Sequence, residues 1–147
     1  MAQLPDPRPA PSATDYREAA ALREGLRRFM RRSEEIAAAN GLTPQRHLLL
    51  VQIKGAPDGS ERATVTDLAE RMQLAQNTVT DLVARAEAVG LVRREASAAD
   101  GRSVLLSVSP EGERRLAATV AALRDDRARL AALVASLDLA GPPDAGA

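Results

Sequence analysis

The sequence predicts a mainly α-helical fold with a small β-hairpin wing: a winged helix-turn-helix with flanking N- and C-terminal dimerisation helices. Three observations within residues 64–110 predict it. Two short runs of helical period are separated by a break, a glycine stop follows the second, and two β-branched-rich runs are then joined by a polar loop.

The first run opens at Thr64 and Asp67, a Thr-x-x-acid form of the capping box that satisfies free N–H groups at a helix start. Leu68, Ala69 and Met72 form its core face. After the break at residues 73–76, Val79, Leu82, Val83, Ala86 and Val89 recur at spacings of three and four, one stripe of a second helix. Gly90 supplies its left-handed stop. At about 100° per residue, Asn77, Asp81, Ala84 and Ala88 fall opposite that stripe, with Gln76, Thr78, Thr80 and Arg85 at the start or on the flanks. Such a face, polar at its N-terminal end and small at the other, suits a helix whose first turns approach base edges in a major groove.

Residues 91–95 and 104–108 read as the strands of a hairpin, and the Asp100-Gly101 pair between them is a turn signal. Arg93 and Arg94 stand at the loop entry and Arg102 near its tip, where a guanidinium can reach a phosphate or a narrow minor groove. The pattern implies double-stranded DNA as partner.

The order and spacing of these motifs resemble the MarR family of bacterial transcriptional regulators. The resemblance rests on residues 65–71, on Asn77-Thr78-Val79-Thr80-Asp81-Leu82-Val83, on Glu87 to Arg94, on Asp100-Gly101-Arg102 and on residues 106–112, and extends over residues 15–138. It implies a homodimer whose recognition helices enter successive major grooves of a pseudo-palindromic operator, with each wing in the adjacent minor groove. Carried over by position, the DNA-facing residues of the helix are Gln76, Asn77, Thr78, Thr80 and Asp81, Arg102 is the wing arginine and Asp100 the acidic residue that orients it; Arg85, Arg94 and Ser103 are further expected DNA contacts beside them. Two positions depart from the family pattern. Ala75 cannot cap the recognition helix, leaving that duty to Gln76 or Asn77, and Asp81 stands where a basic residue is common. Its carboxylate either accepts from a cytosine amino group or opposes the phosphates.

The flanking segments account for the dimer. Asp15 to Asn40 carries Leu22, Leu26, Phe29, Ser33 and Ile36 at heptad-like spacing, closed by Gly41, and Thr43 with Pro44 then opens a second helix that runs to Gly55. Ser109-Pro110 opens a long helix with Leu116, Val120, Leu123, Leu130, Val134 and Leu137 on one face, interrupted by Arg127. Unbroken, roughly 29 residues would make a rod of about 43 Å. Leu22, Leu26, Phe29 and these six C-terminal positions are the expected dimer interface; a helical hairpin within a monomer is the alternative. Arg127 fits a snorkelling or ion-paired residue of that interface. The expected organisation is a disordered arm (1–13), an N-terminal dimerisation helix (14–40), a DNA-binding lobe (41–109), a C-terminal dimerisation helix (110–139) and a disordered tail (140–147).

Composition bounds what else the chain can do. The 147 residues are 45% hydrophobic, enough for one core, and 20 cations balance 20 acids, so no global basic field draws nucleic acid nonspecifically. Affinity must come from local arrangement. Zero net charge, Ala75 and Asp81 together motivate an alternative, a winged-helix protein-interaction module with weak or no DNA binding. The absence of cysteine excludes thiol redox sensing and disulfides, and a single histidine excludes a metal site built from several imidazoles.

No run approaches the ~20 apolar residues of a membrane span, and the proline-rich first twelve residues lack the apolar core of a signal peptide, consistent with a cytoplasmic protein. The chain also lacks a Gly-rich phosphate loop and metalloprotease spacing, so neither enzyme activity nor a cofactor is expected. The resemblance implies a small aromatic or phenolic effector. Arg46 and His47, on the first turn of the second helix, mark the candidate region, although His47 equally suits an ordinary, partly exposed position near a helix start.

Overall fold

The computed structural model describes residues 8–97 and 103–137. In chain order it contains α1 (Ala13–Ala39), α2 (Pro44–Lys54), α3 (Val65–Met72), α4 (Gln76–Ala88), β1 (Val92–Ala96), β2 (Val104–Val108), α5 (Pro110–Ala122) and α6 (Arg124–Ser136). Of the expected arm, residues 1–7 lie outside the described residues, as does the whole expected tail 140–147. Helix α1 begins where Ser12 and Asp15 exchange hydrogen bonds, the Asp15 N–H donating to Ser12 Oγ at 3.1 Å and the Ser12 N–H to Asp15 Oδ2 at 2.7 Å.

The chain divides into two compact units. The larger, residues 32–124, holds the core. Leu49, Leu50 and Ile53 of α2, Leu68 of α3, Val79, Val83 and Ala86 of α4, and Leu106 of β2 are all fully buried in it. Each aliphatic side chain of this size contributes about 1.5–3 kcal/mol when taken from water. Val79 and Val83, with the smaller Ala86 on the same stripe, therefore fix which face of α4 looks outward. Thr43 caps α2, its side chain accepting from the Arg46 N–H at 3.2 Å, with Pro44 in the first turn.

The two strands pair antiparallel in the register Val92↔Val108 to Ala96↔Val104, so β1 starts one residue later than the periodicity suggests. Leu91 instead closes the turn after α4, its N–H donating to Ala86 O at 2.9 Å. Ala63, just before α3, adds an isolated bridge to Leu106.

The C-terminal segment corrects the sequence reading. The expected unbroken rod is two helices of 13 residues, parted at Leu123 (φ −91, ψ 4). The acids Asp125 and Asp126 fall in the first turn of α6, where the positive end of a helix favours them. The expected seam divides at the same place. Leu116 and Leu123 are buried within the larger unit and Val120, half-buried, packs on its core, so these three side chains already have contacts inside the chain. Periodicity had shown an apolar side without showing what covers it.

The smaller unit combines the earlier part of α1 with α6. No residue of α6 is buried. Leu22, Phe29, Leu130 and Leu137 are half-buried, while Leu26, Met30 and Val134 are 41%, 55% and 39% exposed. Gly25 is buried, and a Cβ there would run into Leu133 Cδ2, so the two helices meet closely at this point. An open groove of about 380 Å³ beside it is lined by Phe29, Leu130 and Leu133 with Arg28 and Arg129.

Candidate nucleic-acid interface

Helix α3 carries the predicted capping box: the Asp67 N–H donates to Thr64 Oγ1 at 3.1 Å, and the Thr64 N–H donates to Asp67 Oδ2 at 3.0 Å. The helix ends at Gln73, whose φ of 54 lies in the left-handed region. From there the chain turns into α4 at Ala75, which offers no side-chain cap. The free end is served from inside the helix, where Asn77 Oδ1 accepts from the Thr78 N–H at 2.9 Å.

With Val79 and Val83 driven into the core, Gln76, Asn77, Thr78, Thr80, Asp81 and Arg85 are all exposed. The structure thus brings these six sequence-predicted residues together on the outward side of α4. Their hydrogen-bonding capacity is partly committed. Thr80 Oγ1 donates to Gln76 O at 2.9 Å, and Gln76 Nε2 reaches Thr66 Oγ1 at 3.4 Å. Asn77 keeps its amide N–H₂ and one lone pair, the set that a bidentate contact to adenine requires.

Other predicted residues fall elsewhere. Arg94 donates from Nε to both carboxylate oxygens of Glu87, at 3.1 and 3.0 Å, so β1 is tied to the last turns of α4. Glu87 had no assigned role in the sequence, because a pair seven residues apart across a helix stop has no periodic signature. Ser103 adjoins the loop end of the hairpin, its carbonyl accepting from the Ser97 N–H at 2.9 Å. Asp100 and Arg102 lie outside the described residues.

Arg46 lines a cleft of about 330 Å³ with Thr43, Gln45, Leu82 and Arg85. His47 does not line it. Half-buried, His47 sets Nδ1 3.4 Å from Ser33 Oγ, and burial lowers its pKa. The two residues of the candidate effector region therefore have different surroundings: Arg46 is at an open cleft, and His47 joins α2 to α1.

Comparison with known proteins follows the same geometry. The model of the MarR family matches residues 40–103. Among solved structures, a MarR family protein from Bacillus stearothermophilus is 28% identical, with 82% of each chain covered and a TM-score of 0.61. AbsC, a MarR family transcriptional regulator from Streptomyces coelicolor, is 21% identical over 84% of each chain, with a TM-score of 0.66. Sco3205, a MarR family regulator from the same organism solved in complex with DNA, is 23% identical over 86% of this chain and 78% of that one, with a TM-score of 0.65. A search of curated proteins finds no match. The model of the MarR family thus matches the winged-helix lobe over residues 40–103, and the chain shares its fold with these regulators.

Proposed function

We propose that the protein is a homodimeric, sequence-specific binder of double-stranded DNA that represses transcription in the cytoplasm and is released by a small aromatic or phenolic effector. The observation that carries this reading is the exposed polar start of α4, Gln76 to Asp81, held outward by the burial of Val79 and Val83. Arg85 stands further along the same helix for a phosphate. Arg102 and Asp100 are assigned to the wing tip by their place in the family motif. That Sco3205 was solved with DNA supports a duplex as partner. The effector is assigned to the neighbourhood of Arg46, whose guanidinium suits a carboxylate or phenolate.

The test is fluorescence anisotropy with the duplex lying upstream of the chain's own gene, at two salt concentrations. Binding is expected to weaken steeply with salt as phosphate contacts are screened. Asn77→Ala is expected to cost about 1–3 kcal/mol at one base position while leaving other positions alone. Arg102→Ala is expected to weaken all sequences evenly. An unchanged ranking of operator variants in Asn77→Ala would remove Asn77 as a base reader. No binding to that duplex at low salt would favour the protein-interaction module, the reading motivated by zero net charge and Asp81.

A further inference from the structure

Lys54, the sole lysine of the chain, ends α2. Its Nζ donates to Glu61 Oε2 at 2.8 Å in the loop leading to α3, and also to Glu113 Oε1 in the first turn of α5. The hydrogen bond to Glu113, followed by that to Glu61, holds the ammonium above the ordinary lysine pKa. Arg62, next to Glu61, donates from Nε to Glu95 Oε2 of β1 at 3.0 Å. Together these groups line a cleft of about 300 Å³ that Arg93 and Ser107 of the hairpin also face.

The loop between them is held in an unusual conformation. Glu61 has a φ of 58, a left-handed backbone that side-chain-bearing residues seldom take and that persists where surrounding contacts impose it. Two residues later, Ala63 exchanges both backbone hydrogen bonds with Leu106, N–H to O at 3.1 Å and 2.8 Å. The loop therefore adds a single antiparallel bridge to β2 of the hairpin. Its ends are fixed by backbone bonds, and its middle is fixed by charge.

We propose that Lys54 is a positioning residue of the wing. Glu113, Lys54 and Glu61 form an ionic strap from the start of α5 to the loop, Arg62 and Glu95 carry it on to β1, and the strap sets the inclination of the hairpin against α4. All these side chains are at least one-third exposed, so salt loosens the strap as well as screening DNA contacts. The effect on DNA affinity rests on the function proposed above, whereas the effect on the hairpin does not.

The experiment is amide hydrogen exchange on the full chain in Lys54→Met and Lys54→Arg, with anisotropy on the upstream duplex in parallel. In Lys54→Met, the Ala63 and Leu106 amides are expected to exchange about three- to tenfold faster, the range open to two exposed ion pairs. The Leu68 and Val79 amides, bonded within the first turns of α3 and α4, should keep their wild-type rates. Lys54→Arg should restore protection, and duplex affinity should fall about threefold in Lys54→Met alone. Unchanged protection at Ala63 and Leu106, or equal loosening at Val79, would overturn the strap. If wild-type protein fails to bind the duplex, the DNA reading falls while the exchange rates still decide the role of Lys54.

Discussion

At the scale of single residues, the guanidiniums differ in what they have left to offer DNA. Arg85 is exposed with no ion pair shown among the described residues, whereas Arg94 spends its Nε on Glu87. Glu87→Gln removes the competing charge and leaves Arg94 in place. It is expected to raise duplex affinity and to steepen the dependence of log K on log salt by about one phosphate contact. Anisotropy over a salt series measures both, and an unaltered slope would show that Arg94 cannot reach DNA even when released.

His47 makes an independent prediction. Burial lowers its pKa below the ordinary value of about 6.5. The folded state therefore favours neutral imidazole, so this stabilisation is complete above the unfolded pKa and is lost as pH falls towards the folded one. Urea midpoints measured at pH 7.5 and 5 should show a loss at the lower pH that is smaller in His47→Asn. The outward set on α4 was legible in the sequence because burial every three or four residues dictates it. The commitment of Arg94 to Glu87 was not, since it depends on how tightly the chain turns at Gly90, where φ is 77.

At the scale of elements, boundaries written by local chemistry were readable. The Thr64–Asp67 box, the Thr43 cap with Pro44, and the stop after α4 each depend on groups within four residues of one another. Features set by tertiary approach were not. Gly112 appeared in the sequence only as part of a family motif, yet a Cβ at this position would overlap the Leu91 carbonyl oxygen and lie 2.9 Å from Val108 Cγ1. The start of α5 is docked here, with Ser109 Oγ donating to Gly90 O at 2.5 Å and accepting from the Gly112 N–H at 3.0 Å. A backbone oxygen cannot step aside as a flexible side chain can. Gly112→Ala is therefore expected to destabilise the larger unit by about 1–3 kcal/mol despite alanine's better helix propensity. A denaturant titration checks this, and a gain in stability would mean that α5 has room to shift.

At the scale of the whole molecule, the larger unit closes its own core, while the smaller one leaves Leu26, Met30 and Val134 in water. An apolar face of this kind on two helices invites a covering surface, and the homodimer proposed above supplies one through the same face of a second copy. Of the six C-terminal positions that the sequence offered for this purpose, Leu116 and Leu123 are already buried within the chain. The prediction therefore concentrates on the helices of the smaller unit. Leu26→Glu combined with Val134→Glu is expected to convert a particle of twice 15.6 kDa into one of 15.6 kDa in sedimentation velocity. Val89→Glu, exposed to a similar degree on the larger unit, should leave the mass unchanged. Because two linked reading heads gain affinity by effective concentration, the monomeric variant should bind the duplex at least about 100-fold more weakly, even though none of its α4 residues has changed. If the double variant still sediments at the mass of two chains, this face does not hold the dimer. If it becomes monomeric yet binds undiminished, one reading head suffices, and the operator need not be two-fold.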